Sequence, residues 1–458
     1  MMNILIVESH YRTRSWYQAM QGLGNLFILS TMPEEKDLFI KSGQSEERIL
    51  DIHHPKIQSG DSTLERLDLR KIELNKGIKF NEIISSDRTL RKKDKDYINK
   101  YILFIYRKIN MFLSENKIDI VFLEPTWAHD ILVERICFSK GIPVLSPRND
   151  RFLKNKFIFF YGCEFNNHFQ RIHSHNNELA QETLDHVLGG SKPRYFKKYS
   201  ARNKFRFNKF IVLFRTMRLS LFGLKNKNIQ PSIFSLIKKK IFAILRVYFY
   251  SATNFFEKQI DIKGKYVLIT LHVQPESSID VAGARFSNQL EVVRKCVEST
   301  PIDYTVVVKE HPHAVGNRDR DFYNTLKALP NVRILDPFSS SKDAIAKSSL
   351  VISITGTSCY EAAIRGIPSV CAAEVFFKNI LFKRSFDPFN NNVSDLLNEI
   401  EKEYTYSIDQ IKSEIARIQS NLFIGNVQDC KTDPSVLDES NILNLRKAFF
   451  EVIDHFKK

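Results

Sequence analysis

The sequence predicts an α/β protein made of two doubly wound, Rossmann-like domains that face a central cleft, and three observations carry that prediction. Short β-branched runs alternate with segments of helical periodicity in two separate series, the order that gives parallel sheets with helices on their faces. The chain has 458 residues, too many for one ordinary core and enough for two. In the second series the runs Val306 to His313 and Val351 to Ala362 end abruptly in polar residues suited to holding a phosphate, and ligands bind at such strand ends.

In the first series, Asn3 to Val7 and Leu26 to Ser30 read as strands, and Lys117 to Leu123 as a buried strand after a helix. The helix Ala128 to Lys140 leads into a further strand at Gly141 to Leu145. Residues 55 to 100 are polar and charged, an insertion of exposed helix and loop. These segments make up a first domain over 1–185. A basic amphipathic segment, 186–262, follows as linker or membrane contact. The second domain, 263–392, runs from the strand Tyr266 to Leu271 through strands at Tyr304 to Lys309, Val332 to Leu335, Val351 and Pro368 to Cys371, with helices between them. A helical tail, 393–458, ends in a helix near Ile442 to Phe456 that is expected to pack back toward the first domain.

The balance of 43% hydrophobic to 26% charged residues is that of a globular chain. The net charge of +16 is unusual and local, because no acidic residue occurs between Asp185 and Glu257 while sixteen Lys and Arg do. Residues 203–250 interleave those cations with Phe, Leu, Ile and Tyr, the composition of a helix lying on an anionic membrane surface. A linker helix with solvated lysines would carry the same composition. No nucleic-acid-binding module is recognisable, so nucleic acid is not an expected partner. Six scattered cysteines read as reduced and buried. With no signal-peptide pattern and no apolar run near the ~20 residues that span a bilayer, the expected location is cytoplasmic, peripheral on the inner face of the cell membrane.

The candidate chemistry lies at strand ends. Lys309 offers a point charge and His311 a switchable donor, with Pro312 fixing the turn. Thr355, Gly356, Thr357 and Ser358 stand where a strand ends and a helix begins, so amides and hydroxyls converge on one point. Glu361 either accepts hydrogen bonds from a ribose or serves as capping-box partner of Ser358. Gln274, Glu276 and Arg285 follow the first strand of the second domain, where they touch the donor or form a solvated turn. Across the cleft, Glu8, Ser9 and His10 follow one strand and Glu124, His129 and Asp130 another. Among Glu124, Asp130, His10 and Glu8, Glu124 is the first candidate to take a proton, because a carboxylate ending a buried strand is costly unless paired or used; equally, it caps the helix starting near Thr126 or pairs with Arg148. Arg148 and Arg151 add positive charge for an anionic acceptor or for the interdomain loop. No metal constellation is visible, and no Asp-x-Asp stands at a strand end, which disfavours metal-dependent chemistry.

The run Leu271 to Ser278, Phe286 with Gln289, Val308 to Pro312, Ile354 to Thr357, Glu361-Ala362 and Gly366 to Pro368 resembles, in that order, the capsule polysaccharide biosynthesis family. Its members are bacterial GT-B glycosyltransferases and relatives, some similar to Kdo transferases. The resemblance spans about residues 263 to 375. It implies a metal-independent GT-B enzyme in which Lys309 and His311 contact the donor phosphate, Thr355 to Ser358 cradle it and Glu361 holds the nucleotide ribose, while the first domain forms the acceptor side, with one of Glu124, Asp130, His10 and Glu8 acting on the acceptor hydroxyl. It implies a nucleotide-sugar as co-substrate, no further cofactor, and a growing capsule or other surface polysaccharide, glycan or lipid-linked, as acceptor. A polyol-phosphate transferase or a sugar 2-epimerase would share the architecture. So would a non-catalytic export or glycan-binding component.

Overall fold

The structure, a computed structural model, describes residues 1–53, 57, 60–171, 177–189, 264–318 and 320–457, with 238, 241–243, 245–247, 249–250, 253 and 255–257 of the intervening stretch. Most of the basic segment 203–250, and the membrane contact expected of it, lies outside the described residues. No helix among the described residues is long and apolar enough to cross a membrane.

The first domain supplies strands β1 (Asn3–Val7), β2 (Asn25–Ser30), β3 (Ile49–Asp51), β4 (Ile120–Phe122), β5 (Val144–Asn149) and β6 (Lys156–Tyr161). Its helices are α1 (Thr13–Met20), α2 (Pro33–Lys41), α3 (Thr63–Lys76), α4 (Phe80–Ser86), α5 (Lys95–Glu115) and α6 (Ala128–Ser139), with α7 (Asn177–Leu188) beyond them. The second domain supplies β7 (Tyr266–Thr270), β8 (Thr305–Lys309), β9 (Val332–Leu335), β10 (Leu350–Ser353) and β11 (Ser369–Cys371). Its helices are α8 (Ser277–Asp280), α9 (Gln289–Glu298), α10 (Arg320–Lys327), α11 (Ser341–Ala346), α12 (Thr357–Ile364), α13 (Val393–Glu403) and α14 (Ile408–Gln419). A short β12 (Phe423–Ile424) and a last helix α15 (Glu439–His455) complete the chain.

The first sheet runs β3-β2-β1-β4-β5-β6-β12 and the second β9-β8-β7-β10-β11. Strands β1 to β5 pair in parallel, as do all five strands of the second sheet. Buried on both faces, they require the continuous apolar runs seen in Ile4 to Val7 and Val306 to Val308. In both sheets the order reverses beside the first strand of the domain. A crevice therefore opens at the carboxyl ends of β1 and β4, and another at those of β7 and β10. This is the pair of Rossmann-like domains that the sequence predicts.

The domain boundaries drawn from the sequence do not follow the packing. Helix α7 leaves the first domain: Ala180, Leu184 and Val187 are buried in the core that contains Tyr360 and Ile415 of the second. At the end of the proposed linker, Tyr250 and Phe256 belong to the core beneath β7 and β8. Of the tail, α13 and α14 stay with the second domain, and the stretch from β12 to α15 returns to the first. Phe449 of α15 meets Phe122 at 5.0 Å and Phe159 at 5.3 Å between ring centroids. The sequence reading contained neither β6 nor β12. Both pair antiparallel at the edge of the sheet, where a few aromatic residues, Phe157, Phe159 and Phe423, provide the burial.

Candidate active site in the interdomain cleft

On the second-domain wall, hydrogen bonds between the ends of β7 and β10 set the start of α12. Thr270 Oγ1 donates to Ser353 Oγ at 2.9 Å and lies 2.7 Å from Ser358 Oγ. Ser353 Oγ lies 3.0 Å from His272 Nε2, which accepts the Thr355 amide at 3.3 Å. Thr355 Oγ1 donates to the Ser278 carbonyl at 3.1 Å. Two hydroxyls expected to cradle a phosphate therefore have internal roles: Ser358 braces α12 on β7, and Thr355 ties the β10 exit to α8. Gly356 is the N-cap, with no side-chain cap on the helix, which removes the capping-box role of Ser358 and Glu361. The amides of Gly356, Thr357 and Ser358 have no partner among the described residues, and the Thr355 and Thr357 side chains line the cleft. Such amides favour an anion.

A Cβ at Gly356 would meet Ser353 Oγ at 2.3 Å and Ser358 Oγ at 3.1 Å. We expect Gly356→Ala to lower stability by about 1–3 kcal/mol through this overpacking and to weaken nucleotide binding, read by urea unfolding and calorimetry. Unchanged values in both would show that close packing here is dispensable.

Lys309 does not present its charge to the cleft. It is buried, and its ammonium donates to the carbonyls of Pro337 at 3.1 Å and Asp336 at 3.5 Å, fixing the loop beyond β9. The next residue, Glu310, drew no attention in the sequence. It is 1% exposed, pairs with Arg318 Nε at 2.5 Å, and accepts from Tyr323 Oη at 2.8 Å and the His311 amide at 2.7 Å. Arg318 also reaches the His272 carbonyl at 2.5 Å. Glu310 and Arg318 thereby lock the exits of β7 and β8 together. Only an odd burial pattern, a Glu directly after a buried Lys at a strand end, signals this in the sequence.

Gln274 is likewise a framework residue. It donates to Asp280 at 2.9 Å and accepts from buried Gln289 at 3.1 Å, while Arg91 of the first domain reaches the same Asp280 carboxylate at 3.5 Å. Arg285 points outward, 65% exposed and paired with Asp387, because the turn Ala284–Phe286 buries Phe286 instead. Glu276 lines the cleft. Glu361 lies half-buried outside that lining, and burial pushes its carboxyl above the usual range, opposed by Arg365 and Arg151.

His311 Nδ1 accepts the His313 amide at 3.2 Å, which puts the proton of the neutral ring on Nε2. Burial, then the charges of His313, Lys309, Arg151 and Arg318, push its pKa down to about 4. Burial and nearby Arg151 push His272 down to about 3. Both rings are neutral near pH 7. An unfolded imidazole titrates near 6.5, so on acidification below that value the unfolded chain binds protons that the folded one excludes, and stability falls toward pH 4. We expect the wild type to lose more stability than His311→Asn between pH 7 and pH 5, measured by urea midpoints. Identical losses would contradict the neutral assignment.

On the first-domain wall, Glu124 follows β4 at the switch point. It accepts from Ser9 Oγ at 3.0 Å and pairs with Arg12 at 2.9 Å, its side chain 14% exposed and lining the cleft. The other candidates divide. Glu8 is buried, its Oε2 accepting the amide and hydroxyl of Thr31 at 3.1 and 2.5 Å. Asp130 is buried at the start of α6, where it caps the amides of Thr126 and Trp127 at 3.0 and 2.9 Å, and burial raises its pKa well above the ordinary value. His129 lies 3.2 Å from Asp130, equally buried. Glu8 and Asp130 are therefore corrected from catalytic candidates to supports of the β1 and β4 exits. His10 lies in the turn His10–Arg12, and its side chain is outside the described residues.

Arg148 and Arg151 complete this wall. Arg148 stacks on Phe165 and donates to Ser277 of the second domain at 3.3 Å, with its pKa pushed down to about 10, first by burial. Arg151 lies across the cleft from the second domain, near enough to bear on the ionisation of His272, His311 and Glu361. The cleft itself has a volume of about 640 Å³ and is lined from both domains, with Arg12, Glu124, Arg148 and Arg151 facing Glu276, Thr355 and Thr357.

Neither a protein-family model nor a curated protein matches the sequence. Among solved structures, the chain is similar to the β-Kdo 2,7-transferase of KpsC from Thermosulfurimonas dismutans, at 13% identity over 100% of both chains with a TM-score of 0.38. It is similar to the β-Kdo 2,4-transferase of the same protein at 11% identity, over 73% of this chain and 87% of that one, with a TM-score of 0.33. A UDP-GlcNAc 2-epimerase from Neisseria meningitidis shows 13% identity over 99% of this chain and 100% of that one, with a TM-score of 0.27. Likeness at this level assigns no activity, so the chemistry must come from the residues of the cleft.

Proposed function

We propose that the protein is a glycosyltransferase that moves a sugar from a nucleotide-sugar to a hydroxyl of a growing surface polysaccharide. One observation carries this reading: the open amino end of α12 and the Glu124 carboxylate stand at the switch points of two sheets and line one cleft. The donor phosphate lies against the amides of Gly356 to Ser358, with the Thr357 hydroxyl and the Arg151 guanidinium around it. Glu124 takes the proton of the acceptor hydroxyl as its oxygen attacks the anomeric carbon. The bond from that carbon to the phosphate oxygen breaks, and the phosphate leaves with the electron pair. Positioning and stabilisation of the departing charge provide most of the rate.

A thermal-shift panel of CMP-, UDP-, GDP- and CDP-linked sugars tests the donor half. A cognate donor at a hundredfold its Kd adds about 2.7 kcal/mol of stability by mass action, a shift of several degrees; no response to any donor would overturn the reading. Product analysis tests the rest, since a new glycosidic bond means transfer, whereas a converted donor without acceptor means epimerisation and a phosphodiester means polyol-phosphate transfer.

A further inference from the structure

Helix α3 carries an outer face that the cleft does not use. Leu64, Leu67 and Leu74 are 76%, 50% and 78% exposed, and at 3.6 residues per turn they form one stripe. The opposite side, with Leu69 and Ile72, packs on the first-domain core, so the helix is already anchored and the outer leucines are surplus to that packing. Single exposed leucines are ordinary; three on one stripe are not.

The charges on this helix are sorted. Its exposed charged residues, Arg66, Arg70, Lys71 and Lys76, are all basic. The acids are engaged within the protein: Asp68 pairs with Arg107 at 2.6 Å and lies 4.0 Å from Lys71, Glu73 accepts the Phe80 amide at 3.0 Å, and Glu65 is half-buried. A second copy of the chain fits this face poorly, since a twofold pairing would set Arg70 and Lys71 against their own equivalents. A surface with fixed negative charge over an apolar layer fits both features, because cationic side chains extend along such a boundary while leucines enter it.

We propose that the outer face of α3 docks the protein on an anionic lipid surface, with Leu64, Leu67 and Leu74 entering the headgroup boundary and Arg66, Arg70 and Lys71 meeting lipid phosphates. The contact is independent of the chemistry in the cleft.

Co-sedimentation of the full chain with vesicles tests it, comparing phosphatidylcholine alone with equal parts phosphatidylcholine and phosphatidylglycerol. Binding is expected only to the mixed vesicles. The triple change Leu64→Ser, Leu67→Ser, Leu74→Ser should weaken it at least about tenfold. The triple change Arg66→Gln, Arg70→Gln, Lys71→Gln should weaken it on the order of a hundredfold in low salt. Because these side chains are exposed, the thermal midpoint stays near that of the wild type in both variants. No wild-type binding, or binding that neither variant reduces, overturns the proposal. So does a self-association of the wild type that the leucine variant abolishes, which would make a second copy the occupant.

Discussion

Glu124→Gln lowers kcat by about 10²–10⁴, the contribution of a positioned general base, and leaves the affinity for the nucleotide donor near that of the wild type. The effect is expected to divide this way because Glu124 stands on the first-domain wall of the cleft, while the amides of Gly356 to Ser358 belong to the second-domain wall. The amide keeps an oxygen for the Ser9 hydroxyl at 3.0 Å and loses the charge that pairs with Arg12. Single-turnover rates with saturating donor, beside calorimetric donor binding, measure the two halves. Glu8→Gln serves as the contrast: it touches Thr31 inside the protein, so its cost appears in the unfolding midpoint. Wild-type turnover in Glu124→Gln would remove it from the chemistry.

The largest loss of stability is expected from Glu310→Ala. The Arg318 side chain is 9% exposed and that of Glu310 is 0% exposed, so the variant leaves a guanidinium buried without its counter-charge. Breaking such a pair from one side costs about 3–5 kcal/mol. The Tyr323 hydroxyl and the His311 amide lose their acceptor as well. Urea unfolding measures the loss, and the double variant Glu310→Ala, Arg318→Ala should recover part of it. A loss below about 1 kcal/mol, the worth of an exposed pair, would show that water reaches the site.

The parallel sheets were legible because burial on both faces forces continuous apolar strands, and β1, β7, β8 and β10 each stand out as such a run. Strand β6, itself a short apolar run, was missed because it follows β5 without an intervening helix and so falls outside the alternating order, and β12 because two residues leave no pattern. The helix start that lines the cleft was legible from the strand-to-helix change at Thr355. The division of labour within it was not. A lysine at a strand end reads the same whether it faces a ligand or, like Lys309, two carbonyls of a neighbouring loop. Arg12 reads as an ordinary surface cation until β1 and β4 are set side by side. Such roles depend on partners 27 and 28 positions away for Lys309 and more than a hundred for Arg12, and periodicity carries no information at that range.

The return of α15 to the first sheet has a consequence for how the molecule is made. Trp16, Phe122 and Phe159 are translated hundreds of residues before Phe449, which covers them. While the ribosome completes the second sheet, the nascent first sheet carries an uncovered aromatic face. The amino-terminal half is thus assembled early and sealed last, and a transcript that ends ahead of α15 yields a chain whose oldest part is its least finished.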